Sequence, residues 1–178
     1  MKIAPSLAFL LGLAVLPAQA FTKPDPPAHV YARSDFIQRV LAVHNAVRAK
    51  LHLPPLTWSD KLAADALPWA QHLEKIGDIV HDQGSVAQTE GENLWMGTEN
   101  HWTLNEMIQD WADEGRLYRY DVFPKGSTTG NWEDIGHYTQ MVWRNTTQVG
   151  CAEVSGGGND YLVCRYSPPG NYEGQKPY

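Results

Sequence analysis

The side chain in this sequence best placed to do chemistry is His137, set in the run Gly136-His137-Tyr138-Thr139-Gln140-Met141-Val142-Trp143-Arg144-Asn145-Thr146. An imidazole inside an aromatic and aliphatic stretch has two uses. It can bind a divalent transition metal through a neutral nitrogen, or move a proton near neutral pH. Glu114 is the second oddity. It lies seven residues after Met107 and three after Trp111, so a helix there puts its carboxylate on the same face as core side chains. A carboxylate in such company is a candidate for a functional site.

Elements must bring such groups together. Ser34 can cap a helix running to about Leu51, with Phe36, Ile37, Val40, Leu41, Val47 and Leu51 at helical spacing. Pro54 and Pro55 end it. Ser59 starts a second helix whose stripe is Leu62, Ala66, Trp69, Leu73 and Ile76, with Gly77 as a stop. Pro68 interrupts that stripe and predicts a kink near Ala64. Gly91 to Met96 holds a short strand around Leu94 and Trp95. Thr103-Leu104-Asn105-Glu106 has the pattern of a capping box and opens a third helix. Tyr118 to Asp134 is a long irregular segment. Val149 to Val154 and Tyr161 to Tyr166 read as antiparallel strands joined by residues 155–160. With Val154 opposite Tyr161, Cys151 faces Cys164, because the pairing sum is constant along an antiparallel ladder. Helices and strands outside βαβ alternation predict an α+β layered architecture.

The ends and the charge narrow the function. Lys2, the apolar run Leu7 to Leu16 and Ala18-Gln19-Ala20 have the form of a signal peptide over residues 1–20. An extended segment follows over residues 21–33, and one domain over residues 34–178. The protein is thus expected outside the cytoplasm, in the periplasm or the extracellular space. The apolar run is too short to span a bilayer, and no other segment is long and apolar enough. Without Lys2, thirteen basic residues stand against twenty acidic ones, a formal charge of −7 in place of −6. That balance leaves no electrostatic footprint for nucleic acid. Two cysteines in an exported chain are most simply one bridge, Cys151 to Cys164.

The His137 run, continued by Val149-Gly150-Cys151-Ala152, and the closing block Tyr161-Leu162-Val163-Cys164-Arg165-Tyr166-Ser167-Pro168-Pro169-Gly170-Asn171-Tyr172 resemble two signature motifs. They are those of the CAP superfamily of cysteine-rich secretory, antigen five and pathogenesis-related proteins. Gly91-Glu92-Asn93-Leu94 is similar to the family's Gly-Glu-Asn motif, and His44, Asn45 and Arg48 to its His-Asn-x-x-Arg pattern. The resemblance covers about Ser34 to Tyr178. It implies a three-layer α-β-α sandwich with a small antiparallel sheet, and a short helix at His137. It also implies that His81, Glu92, Glu114 and His137 gather in one cleft. The last eleven residues look like the end of plant pathogenesis-related members, in which a released peptide signals defence. A structural arm rich in turn residues is the plainer reading.

The chemistry of that tetrad is constrained. His81 and His137 could ligate Zn²⁺ or another divalent metal weakly, with Glu92 and Glu114 orienting the imidazoles or a bound water. The same four groups could run metal-assisted hydrolysis, or form a satisfied structural network. His44, Asn45 and Arg48 are better read as partners for nearby carbonyls and carboxylates. No Gly-x-Ser-x-Gly elbow and no His-Glu-x-x-His pair is present. Trp95, Trp102, Tyr118, Tyr120, Phe123 and Trp132 stand in or beside loops, and a crevice lined by them would suit a flat apolar ligand. In some family members the loop corresponding to Tyr118 to Asp134 is linked to sterols, and a separate groove to fatty acids. The expectation is therefore a binding protein for a small apolar ligand of sterol or fatty-acid type, a divalent metal or an extracellular partner. A metal-dependent hydrolase and a secreted defence or signalling protein are the alternatives.

Overall fold

A computed structural model describes residues 31–178; the expected signal peptide, residues 1–20, and the following residues up to 30 lie outside the described residues. The elements run α1 Arg33–Lys50, β1 Thr57–Trp58, α2 Asp60–Ile76, β2 Gly91–Thr98, α3 Leu104–Asp113, α4 Gly136–Met141, β3 Gln148–Gly156 and β4 Asn159–Ser167, with short 3-10 turns between them. The strands form one sheet in the order β1-β3-β4-β2. Three of its strands are antiparallel. The two-residue β1 adds a parallel edge that periodicity could not reveal.

Alternation along the strands builds two cores from one sheet. Val149, Cys151, Leu162, Cys164 and Tyr166 pack with Val40, Leu104, Met107, Ile108, Trp111, Tyr138 and Met141 from α1, α3 and α4. Leu94, Ala152, Tyr161 and Val163 pack on the other side with Ala66, Ala70 and Leu73 of α2. The result is the α-β-α sandwich. The β3–β4 register places Val154 opposite Tyr161 and Cys151 opposite Cys164, and those cysteines are bridged.

Several local expectations need correction. Ser34 is not the cap of α1; the cap is Ala32, two residues earlier, with no side-chain cap bond. α2 runs without a break through Pro68. Its ends are as the sequence marks them: Ser59 Oγ accepts from Leu62 N at 3.3 Å, and Gly77 takes the left-handed conformation at φ 68°. The loop between β3 and β4 shrinks from six residues to Gly157-Gly158, both at positive φ, as a two-residue hairpin turn requires. α3 carries its capping box at Thr103 and Glu106 but stops at Asp113, so Glu114 opens a 3-10 turn instead of closing the helix. Among the described residues no helix is long and apolar enough to cross a membrane.

Candidate functional site

The site begins at the sheet edge, because β2 is an outer strand and its side chains reach around both faces. Glu92 shares the α2 side with Leu94; Asn93 shares the opposite side with Trp95. A cleft of about 560 Å³ opens along this edge, lined among others by His81, Glu92, Asn93 and His137.

Each imidazole is held by one carboxylate. His81 Nδ1 lies 2.6 Å from Glu92 Oε1, and His137 Nδ1 lies 2.6 Å from Glu114 Oε1. A carboxylate only accepts, so both Nδ1 atoms carry the proton, and a neutral ring keeps its lone pair on Nε2. Glu114 does more. Its Oε2 accepts from the backbone N–H groups of His137 and Tyr138 at 2.9 and 3.0 Å, capping the start of α4. The His137 ring also stacks on Trp111, with centroids 5.8 Å apart and planes 21° apart. Glu92 is fixed in turn by Arg165 and by the N–H of Asp82, which donates to Oε1 at 3.2 Å. Arg165 Nη2 donates to Asp82 Oδ2 at 2.7 Å and lies 3.1 Å from Glu92 Oε2. Burial by itself would raise the Asp82 carboxyl. The Gly84 N–H and Arg165 outweigh it and hold Asp82 below its ordinary range.

The motif on α1 lies behind the cleft. Arg48 is fully buried and donates to the carbonyls of Pro54, Met141, Trp143 and Thr146, pinning the chain after α4. Asn45 exchanges two hydrogen bonds with Leu56. His44 Nδ1 donates to Val40 O at 2.8 Å, which leaves Nε2 to accept from the Tyr166 hydroxyl at 2.9 Å. Burial lowers the His44 imidazole to about 4, so the ring stays neutral. The Tyr166 hydroxyl accepts from Asn93 Nδ2, which also donates to the His137 carbonyl, both at 3.1 Å. α1, β4, β2 and α4 are therefore joined by one chain of polar side chains.

Of the six loop aromatics, Phe123 and Trp132 line the cleft, packed edge to face with centroids 5.6 Å apart. Trp95 pairs with Trp102, and Tyr118 and Tyr120 with Tyr178. The C-terminal arm is part of the frame. Phe123 and Gly174–Gln175 exchange two backbone bonds of 2.8 Å, and Asn171, which lines the cleft, donates to Gly136 O at 2.8 Å. Sequence reasoning missed Arg165, Asp82 and Asn171. The one available signal was a lone arginine in the apolar run Tyr161 to Tyr166. Among the described residues, no group of three or more His, Cys, Asp or Glu side chains converges to hold a metal.

Comparison with known proteins agrees with this architecture. The model of the cysteine-rich secretory protein family, CAP, matches residues 41–166. Pathogenesis-related protein 1A of Nicotiana tabacum is 40% identical over 142 residues, which are 79% of this chain and 80% of that protein. Pathogenesis-related protein 1 of Arabidopsis thaliana is 34% identical over 97% of this chain and 92% of its own. The crystal structure of NaASP2 with Zn²⁺ shares the fold at a TM-score of 0.65, with 22% identity over 79% of this chain and 83% of that one.

Proposed function

Since the chain belongs to the CAP family of cysteine-rich secretory proteins, we propose that it is an exported protein that works by binding. Its cleft takes a divalent cation through His81 and His137 and a small apolar ligand against Phe123 and Trp132. One observation carries the reading: two imidazoles line one cleft, and each has its Nδ1 committed to a carboxylate at 2.6 Å. That leaves Nε2 of each ring as the nitrogen available to a metal. The donor set fits such an ion modestly. Two nitrogen ligands without a thiolate or a third protein group make an open site, completed by water, and affinity well short of a structural zinc site. A bound ion there would supply positive charge and a polarised water. The chain's own part is to hold the rings, through Glu92 and Glu114.

The test is titration calorimetry of the folded protein with Zn²⁺ at neutral pH. Wild type should bind one equivalent, and His81→Ala and His137→Ala should each abolish most of the heat. Absence of binding by wild type, or unchanged binding by both variants, would make the tetrad a structural network. Hydrolysis of an ester or phosphodiester that stops on chelation would instead move the reading to a metal-dependent hydrolase.

A further inference from the structure

The cleft is one-sided in charge. Asp82, Glu90, Glu92 and Glu133 line it, and among the described residues no lysine or arginine does. Two cations pair with its carboxylates. Arg165 pairs with Asp82 and Glu92, and Lys61 reaches Glu90 Oε1 at 2.9 Å while also holding Asp65 at 2.6 Å. Four carboxylates therefore line the cleft, and the two cations that pair with them are not part of its lining.

A second observation is independent of this count. Asn93 is 1% exposed, and its Nδ2 is spent on the His137 carbonyl and the Tyr166 hydroxyl; its Oδ1 has no donor among the described residues. Glu90 is 7% exposed; burial raises its carboxyl, which Lys61 and Asp65 both contact. Both residues line the cleft. A buried acceptor left without a donor is unfavourable, so a ligand that brings N–H groups gains what one bearing only acceptors loses. Apart from His81, His137 and Asn171, the remaining wall is aromatic and aliphatic. Trp132 is 45% exposed beside Phe123, with Ile79 and Leu94 completing the apolar side. An exposed indole face attracts cations as well as apolar groups.

We propose that the organic ligand of this cleft, taken in place of a metal ion and not beside it, is a cation: an ammonium or guanidinium group directed at the carboxylates and Asn93, carried on an apolar body that lies against Trp132, Phe123 and Ile79. The inference rests on the reading of the cleft as a binding site and narrows it. Fatty acids are disfavoured, because a carboxylate head would meet acceptors and negative charge. The cationic group can come from a free amine or from a lysine or arginine of a peptide.

Three probes with one skeleton separate the possibilities: 4-phenylbutylamine, 4-phenylbutanol and 4-phenylbutanoate, titrated at neutral pH into the folded protein freed of metal by a chelator and followed by calorimetry. The amine should bind about tenfold more tightly than the alcohol, the equivalent of one favourable charge contact, and the acid should not bind. Glu90→Gln and Glu133→Gln should each weaken the amine several-fold and leave the alcohol unchanged, with thermal melts verifying the fold. Equal binding of amine and alcohol, binding of the acid, or amine affinity indifferent to both variants overturns the cation while leaving a binding cleft. Binding of none of the three overturns the apolar-ligand half of the cleft reading with it, the metal half being tested by the Zn²⁺ titration. Acetyl-Phe-Lys-amide, compared with its side-chain-acetylated form, identifies the source. Tighter binding than the amine, lost on acetylation, assigns a peptide; weaker binding assigns a free amine.

Discussion

Glu92 and Arg165 stand opposite one another on β2 and β4, and their side chains close to 3.1 Å with the guanidinium fully buried. The same Arg165 nitrogen reaches Asp82, whose backbone N–H donates to Glu92. One arginine therefore sets the position of the carboxylate that holds His81.

Replacing that arginine should be severe. Arg165→Met leaves Glu92 and Asp82 without their cation in a buried setting, and breaking such a pair costs about 3–5 kcal/mol. The urea midpoint at pH 7 should fall accordingly. The Asp82 contribution is present above the ordinary carboxylate range, because its folded value is depressed, and it is lost as pH falls through that value. Wild type and variant should therefore converge in acid. A constant difference down to pH 3 would remove the ion pair as the cause.

The two carboxylates that hold the imidazoles should matter less for metal than the imidazoles themselves. Glu92→Gln and Glu114→Gln should each weaken Zn²⁺ binding by about 10–100-fold, as loss of a hydrogen-bonded partner of a ligand does, without abolishing it. Glu114→Gln should also lower stability, since its Oε2 caps two N–H groups of α4. If either Gln variant binds Zn²⁺ as wild type does, the carboxylates do not orient the ligands.

Glu153 predicts a pH dependence unrelated to the cleft. Among the described residues neither carboxyl oxygen has a hydrogen-bond partner, and burial first, then the negative Asp160, push the group up to about 8. Arg33 lines the same hollow but bonds to Asp60. The folded state thus holds a proton that the unfolded state has released, and stability falls as pH rises from the ordinary glutamate range to about 8. Glu153→Gln should flatten that decline and stabilise the protein at pH 8.5 by on the order of 1–3 kcal/mol. Parallel stability curves for wild type and variant between pH 5 and 8.5 would refute it.

The Cys151–Cys164 bridge closes a short loop at a sequence separation of 13. Chain-entropy models give such a loop about 3 kcal/mol. Cys151→Ala combined with Cys164→Ala should lower the unfolding free energy, measured by guanidinium denaturation, by that amount while the hairpin register keeps the fold. Circular dichroism before and after reduction of wild type gives the same comparison without a mutation.

Much of this was legible in the sequence because it depends on local chemistry. Ser59, Gly77 and the Thr103–Glu106 box mark helix ends through their own side chains and backbone freedom. The β3–β4 register follows from two apolar runs and the constancy of antiparallel pairing. Glu114 stood out because helical periodicity placed a carboxylate among core residues, although the helix ends just before it. Other features are long-range and carry no local sign. β1 exists because two residues meet β3 across ninety positions of chain, where Thr57 reaches Thr147. The tetrad resembled a site in the sequence only through motifs. The tertiary structure decided which carboxylate holds which imidazole, that Arg165 and Asp82 complete one pair, and that the cleft follows the edge of β2. A sequence specifies the groups and their local geometry, whereas burial and partner choice depend on which distant segments the packing brings into contact.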